Sequence, residues 1–323
     1  MKKKIIIIIL AIFAVSAFLW IICSDKKAIE LNSDDADISY YEKAIELNPN
    51  DAESYVNMGI AYYNKENYEK AIECYKKAIK LNPNDAKAYN NMGNAYYYKN
   101  NYDKAIEFYQ KAVGLNLDDA DTYANMGYAY YYKGNFDKAI EYCQKAIELK
   151  PDYVKAYYNM GNAYYYKNNY DKAIDCYQKV IELNSDDVEA YYNIGIAYLK
   201  KGNYEKTIEY CQKVIELNPA DAESYNSMGI AYEGIGNNDK AIECYQKAIE
   251  LKPDFAKAYY NIGFVYGNKG NYDKEIEYYQ KIIELEPDNA EAYINMGLVY
   301  NKIGQEDKAN EYFKKAEMIR NSN

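Results

Sequence analysis

Glycine recurs at residues 59, 93, 127, 161, 195, 229, 263 and 297, a spacing of 34 residues held without insertion or deletion. Self-similarity at so short a period means that each copy is one supersecondary element, able to bury its apolar face only against its neighbours. The chain is therefore read as a stack of eight copies, spanning 52–85, 86–119, 120–153, 154–187, 188–221, 222–255, 256–289 and 290–323.

Counted from the first residue of each copy, position 4 is always tyrosine (Tyr55 to Tyr293), and so is position 11 (Tyr62 to Tyr300). Position 7 is Met or Ile, position 8 Gly, position 20 mostly Ala, position 24 Tyr, Phe or Cys, and position 27 Ala, Val or Ile. The apolar residues at 4, 7 and 11 keep a helical period, and so do those at 20, 21, 24, 27 and 28, which predicts two amphipathic helices per copy. Gly at 8 and Ala at 20 let the two approach closely. Position 15 is Gly or Asn in seven copies, the residues that accept the left-handed conformation ending a helix. Pro83, Pro151, Pro219, Pro253 and Pro287 stop the second helix, and a following Asn or Asp caps the next. An acid at position 22 and a lysine at 26, such as Glu141 and Lys145, predict an outward ion pair in every copy, worth roughly a few tenths of a kcal/mol.

In order and spacing these residues resemble the tetratricopeptide repeat family over the chain beyond residue 27, with Tyr in place of the usual Trp at position 4. The resemblance implies an all-α fold, a right-handed superhelical α-solenoid of helix-turn-helix repeats with a concave groove lined mainly by the first helices. Residues 28–51 read as a degenerate partial repeat capping the N-terminal end, because KAIELN at 27–32 returns at 43–48. In the last copy Asn310 and Glu317 replace aliphatic residues, partly solubilising the exposed end. Glu275 replaces the small residue at position 20 of the seventh copy, with Gly234, Gly236 and Gly267 nearby, so the weakest joint is expected there.

Composition narrows the function. The chain has no histidine, the commonest acid/base catalyst and metal ligand near neutral pH, no glycine-rich phosphate loop and no metal-spaced cysteines. An enzyme is not expected, and no cofactor or metal is. With the five lysines and one aspartate of residues 1–27 set aside, the net charge falls from −10 to −14, a surface that repels nucleic acid. Five cysteines recur on the second helix and read as small buried hydrophobes. The expected partner is a protein or peptide held by the groove, with self-association of near-identical copies as the alternative.

The resemblance places position 6 in that groove. It carries Asn57, Asn91, Asn125, Asn159, Asn193, Asn261 and Asn295, interrupted by Ser227. An amide both donates and accepts, so such a ladder can pair with the backbone of an extended peptide whatever its sequence. Tyr63, Tyr97, Tyr98, Tyr131, Tyr132, Tyr165 and Tyr166 at positions 12 and 13 add large amphipathic surface and direct docking to the N-terminal half. The opposite reading gives part of this stripe to packing between repeats. The carboxylate clamp of the family's cytosolic cochaperones is incomplete: Asn94, Asn125 and Lys155 match it, but Asn90 and Asn159 stand where cations are required, and Arg320 is the only arginine.

Residues 1–27 comprise a basic flank, Lys2 to Lys4, and an uncharged run from Ile5 to Cys23, long enough at about 1.5 Å per residue to cross one hydrocarbon core. They read as a single transmembrane signal-anchor with the N-terminus cytoplasmic and the repeats outside. Cleavage after Val15-Ser16-Ala17 is the alternative, but Phe18 to Ile22 continues the apolar run past that site. The full-length chain is expected in the membrane fraction, and deleting residues 1–23 should release an acidic helical protein. Intact full-length chain in the soluble fraction would show the anchor reading to be wrong.

Overall fold

The computed structural model describes residues 33–115 and 118–322. The segment read above as an anchor lies outside them, and among the described residues no helix is long and apolar enough to cross a membrane. All regular structure described is α-helical, in two compact bodies, Met1–Asp118 and Asp119–Asn323.

The first body holds α1 (Ser33–Leu47), α2 (Ala52–Asn64), α3 (Tyr68–Leu81), α4 (Ala86–Tyr98) and α5 (Tyr102–Gly114). The second holds six helix pairs: α6 (Ala120–Tyr132) with α7 (Phe136–Leu149), α8 (Val154–Tyr166) with α9 (Tyr170–Leu183), and α10 (Val188–Lys200) with α11 (Tyr204–Leu217). Then follow α12 (Ala222–Gly234) with α13 (Asn238–Leu251), α14 (Ala256–Asn268) with α15 (Tyr272–Leu285), and α16 (Ala290–Lys302) with α17 (Glu306–Ser322). Within each body a helix packs on its pair-mate and on the next pair, the stacking of a helical-repeat solenoid.

Each pair closes where its glycine at position 8 meets the side chain at position 24. A methyl group on Gly59, Gly93, Gly161 or Gly229 would fall 2.4–2.6 Å from the rings of Tyr75, Tyr109, Tyr177 and Tyr245. Those rings are almost fully buried, and three of their hydroxyls find partners within the repeat: Tyr109 donates to Asn94 at 2.8 Å, Tyr177 to Asn162 at 2.7 Å and Tyr245 to Glu233 at 3.2 Å. Ala71, Ala105, Ala139, Ala173 and Ala241 at position 20 are wholly buried beside this contact. Thr207 takes that place in the fifth repeat, and its hydroxyl donates to the carbonyls of Asn203 and Gly195.

The turn between paired helices needs one left-handed residue, and position 15 supplies it in all eight repeats, including Glu66 at φ 58° where glycine or asparagine stands elsewhere. The next residue caps the second helix: the side chains of Asn67, Asn101, Asn135, Asn169, Asn203, Asn237 and Asn271 each accept the N–H three residues on. Asp85, Asp119, Asp187, Asp221 and Asn289 cap the first helices in the same way, and Asp51 does so by accepting the N–H of Glu53, two residues on.

The expected surface ion pair between positions 22 and 26 is corrected. It forms at Glu107–Lys111, Glu141–Lys145 and Glu311–Lys315, but Lys179, Lys213, Lys247 and Lys281 turn instead to the glutamate three residues ahead. Both acids share one helix face, so the lysine has two equivalent partners.

The glycine contact gives opposite outcomes at one repeat position. Gly229→Ala should destabilise by about 1–3 kcal/mol, because the buried ring of Tyr245 has no room to yield. Gly195→Ala should be neutral or stabilising, since its added methyl would meet Cys211 and Tyr210 at 3.5 Å, ordinary contact, while helix propensity improves by up to about 1 kcal/mol. Thermal melts of the two variants check this.

Candidate functional site

The amides at position 6 do not stand free in an open groove. Asn57, Asn91, Asn125, Asn193, Asn261 and Asn295 are half-buried, and Asn159 retains only 6% of its exposure. Within each body, first helices of successive repeats approach one another, and several of these amides lie where they meet. Several are spent there. Asn193 Nδ2 donates to the Tyr158 hydroxyl at 3.3 Å and Asn261 Nδ2 to Asn226 Oδ1 at 2.9 Å, while Asn125 Oδ1 accepts from Lys155 Nζ at 2.6 Å. Two retain an unused donor: Nδ2 of Asn159 and Nδ2 of Asn295 are buried with no hydrogen-bond partner.

Two pairs of the tyrosines at positions 12 and 13 join successive repeats. In the first body Tyr63 meets Tyr68 and the next repeat's Tyr98 at 5.6 Å each, and Tyr68 stacks on Tyr98 at 5.5 Å. In the second, Tyr131 and Phe136 hold Tyr166 in the same manner, at 5.6 and 5.7 Å. Tyr97 packs edge-on against Tyr98 and beside Tyr102, and Tyr165 against Tyr166 and Tyr170. Burial raises the pKa of the Tyr63, Tyr131 and Tyr165 phenols, as expected of rings enclosed by other rings. Tyr98, Tyr132 and Tyr166 keep an exposed edge, Tyr132 with its hydroxyl 3.0 Å from that of Tyr128.

The cavity that the first helices enclose lies in the sixth to eighth repeats, away from the tyrosine-rich end to which the sequence reading directed docking. It has a volume of about 460 Å³ and is floored by Asn226 and Ile230 of α12, Tyr260 and Asn261 of α14, and Ala292 and Asn295 of α16. Ile282 and Glu286 at the end of α15, with Lys257, Asn289 and Glu291, complete its walls. Asn261 and Asn295 of the expected ladder are thus brought together in one concavity. Beside it, Tyr260 stacks on Phe264, which is 42% exposed, and Leu298 is 46% exposed. The apolar residues at positions 5 and 9 were not singled out from the sequence. Their signal was a third stripe on the first helix, outside the one that the core requires.

The remaining titratable groups are structural. Burial pushes the thiols up, Cys74 to about 11 and Cys143, Cys176 and Cys211 to about 12, which leaves them poor nucleophiles. Among the described residues no group of three or more His, Cys, Asp or Glu could hold a metal ion. Glu275 is 3% exposed, with Oε2 lacking a hydrogen-bond partner and Lys302 Nζ 3.9 Å from Oε1. Its carboxyl fills the space left by Gly267, where a methyl group would fall 2.4 Å from it.

Two stacks of short helix pairs, with a groove on the first-helix face, define a helical-repeat scaffold. Tetratricopeptide repeat profiles match residues 52–85, 86–119, 120–153 and 188–221, and 28–51 with 256–289, and 142–175, 210–243 and 278–309; a TPR repeat profile matches 161–202 and 235–270. They run without a gap from residue 28 to 309, and the chain belongs to the tetratricopeptide repeat family. Among solved structures it is similar to the C-terminal part of a TPR repeat-containing protein from Cytophaga hutchinsonii, at 23% identity over 74% of this chain and 98% of that one, TM-score 0.63. Two crystal structures of MamA are similar at 34% and 33% identity, covering 51% and 53% of this chain and 97% and 94% of theirs, with TM-scores of 0.48 and 0.49. A search of curated proteins gave no match.

Burial raises the pKa of Glu275 above its unfolded value, so its folded form is favoured below the ordinary carboxylate range and loses stability as pH rises through the raised value. Lys302 offsets part of this. Glu275→Gln should therefore gain stability over the parent chain as pH rises from about 4 to 7. Denaturant melts at both ends would show it, and a pH-independent difference would contradict the assignment.

Proposed function

We propose that the chain is a protein–protein interaction scaffold, anchored in a membrane through residues 1–27, that holds an extended segment of a partner protein against its first-helix face. Membership of a family of binding scaffolds supports the general reading. The observation that carries the site is the cavity of the sixth to eighth repeats, with exposed apolar side chains on the same first-helix face. Export of the repeats beyond the membrane remains part of the proposal and rests on the lysines that precede the apolar run.

Phe264→Ser with Leu298→Ser tests the site, because both side chains are exposed enough to be lost without opening the core. Affinity purification of the full-length chain from membranes, with parent and double variant compared quantitatively, should show about a tenfold or greater loss of one specific protein, with the melting temperature unchanged within a few degrees. Retention of every partner would move the site off this face. Light scattering that shows only self-assembly would favour the alternative of a self-associating structural element.

A further inference from the structure

The cavity of the sixth to eighth repeats is graded in chemistry from one wall to the other. One wall, at the end of α15 and the start of α16, carries Glu286 and Glu291; the opposite wall carries Ile230 of α12; Tyr260 and Asn261 of α14 stand between. The N-terminal amides of α16 do not neutralise the acidic wall. Asn289 Oδ1 accepts the N–H groups of Glu291 at 3.0 Å and Ala292 at 3.2 Å, and Asn289 Nδ2 donates to Glu286 at 2.6 Å. Lys257 also lines the cavity, yet neither carboxylate has a lysine or arginine within ion-pair distance among the described residues. Two carboxylates sharing a concave site, and supplied with one amide between them, are matched by an external cation with several donors.

This inference rests on the groove reading above and specifies its ligand. We propose that the bound segment carries a lysine or arginine that docks against Glu286 and Glu291, with a neighbouring apolar side chain between Ile230 and Tyr260. In an extended chain, side chains two residues apart project to the same side about 7 Å apart, so a basic and an apolar residue at alternate positions reach both walls from one strand of peptide. Arginine is favoured over lysine, because its planar fork can engage both carboxylates together.

The probe is a panel of dye-labelled, N-acetylated and C-amidated peptides that hold one leucine and, two to four residues away, either arginine, its neutral isostere citrulline, or glutamate. Fluorescence anisotropy with the full-length chain reads their affinities. The arginine peptides should bind about tenfold more tightly than the citrulline peptides at the best spacing, with the advantage shrinking as salt rises. In the double variant Glu286→Gln, Glu291→Gln, the arginine advantage should vanish while the citrulline affinity holds. Ile230→Ser should weaken both alike, with melts confirming that each variant folds. Equal affinity for arginine and citrulline, or an arginine advantage that survives the double glutamine variant, would overturn this inference and leave the groove reading standing. Failure of every peptide to bind, or binding indifferent to Ile230→Ser, would overturn both.

Discussion

Each repeat is held together at one point of contact, the glycine of its first helix against the side chain at position 24 of its second. Because no Cβ intervenes, a tyrosine ring can lie flat in the space between two helix axes. Much else follows from that ring. Its hydroxyl must be satisfied inside the repeat, which Asn94, Asn162 and Glu233 accomplish. The residues around it must be small, which accounts for the wholly buried alanines at position 20. In the third and fifth repeats cysteine replaces the ring at position 24, and Tyr142 and Tyr210 stand one residue earlier, so volume is redistributed and not lost.

Stacking of one pair on the next uses a second set of contacts, repeated along each body. Tyrosines at 12 and 17 clasp a ring at 13 of the following repeat, as with Tyr63, Tyr68 and Tyr98. Lysines at 14 reach back to an acid at 18, as Lys269 does to Asp239 at 2.6 Å. Amides and hydroxyls at 5 and 6 join neighbouring first helices. The unusual abundance of tyrosine is thus explained by the architecture. A ring packed among others is a spacer first, and only its outer edge remains to meet a partner.

The later repeats depart from this scheme. Gly234 stands where a tyrosine would and lies under the ring of Tyr204, and Gly267 gives its space to the carboxyl of Glu275. In the sixth to eighth repeats, positions 5 and 9 carry Ile230, Tyr260, Phe264 and Leu298, which place apolar surface on the open first-helix face at or near the cavity.

The sequence by itself determined the repeat and its helices, because both follow from local rules. The 34-residue spacing sets the stacking unit, the helical period of positions 4, 7, 11 and of 20, 24, 27 sets the two amphipathic faces, and the left-handed residue at 15 sets the turn. Even the asparagines that cap the second helices were legible in principle, as polar residues just ahead of each apolar run. What only the tertiary structure decided is how each surface side chain is spent. Asn193 and Asn295 occupy the same repeat position, yet one donates to Tyr158 and the other has an unused donor in a cavity. The preceding repeat presents a tyrosine at position 5 in both cases, and the difference lies in how that ring packs: the Tyr158 hydroxyl meets Asn193, whereas Tyr260 stacks on Phe264 and Tyr279. A side chain's freedom to bind depends on contacts across the stack, which no pattern read along a single repeat contains.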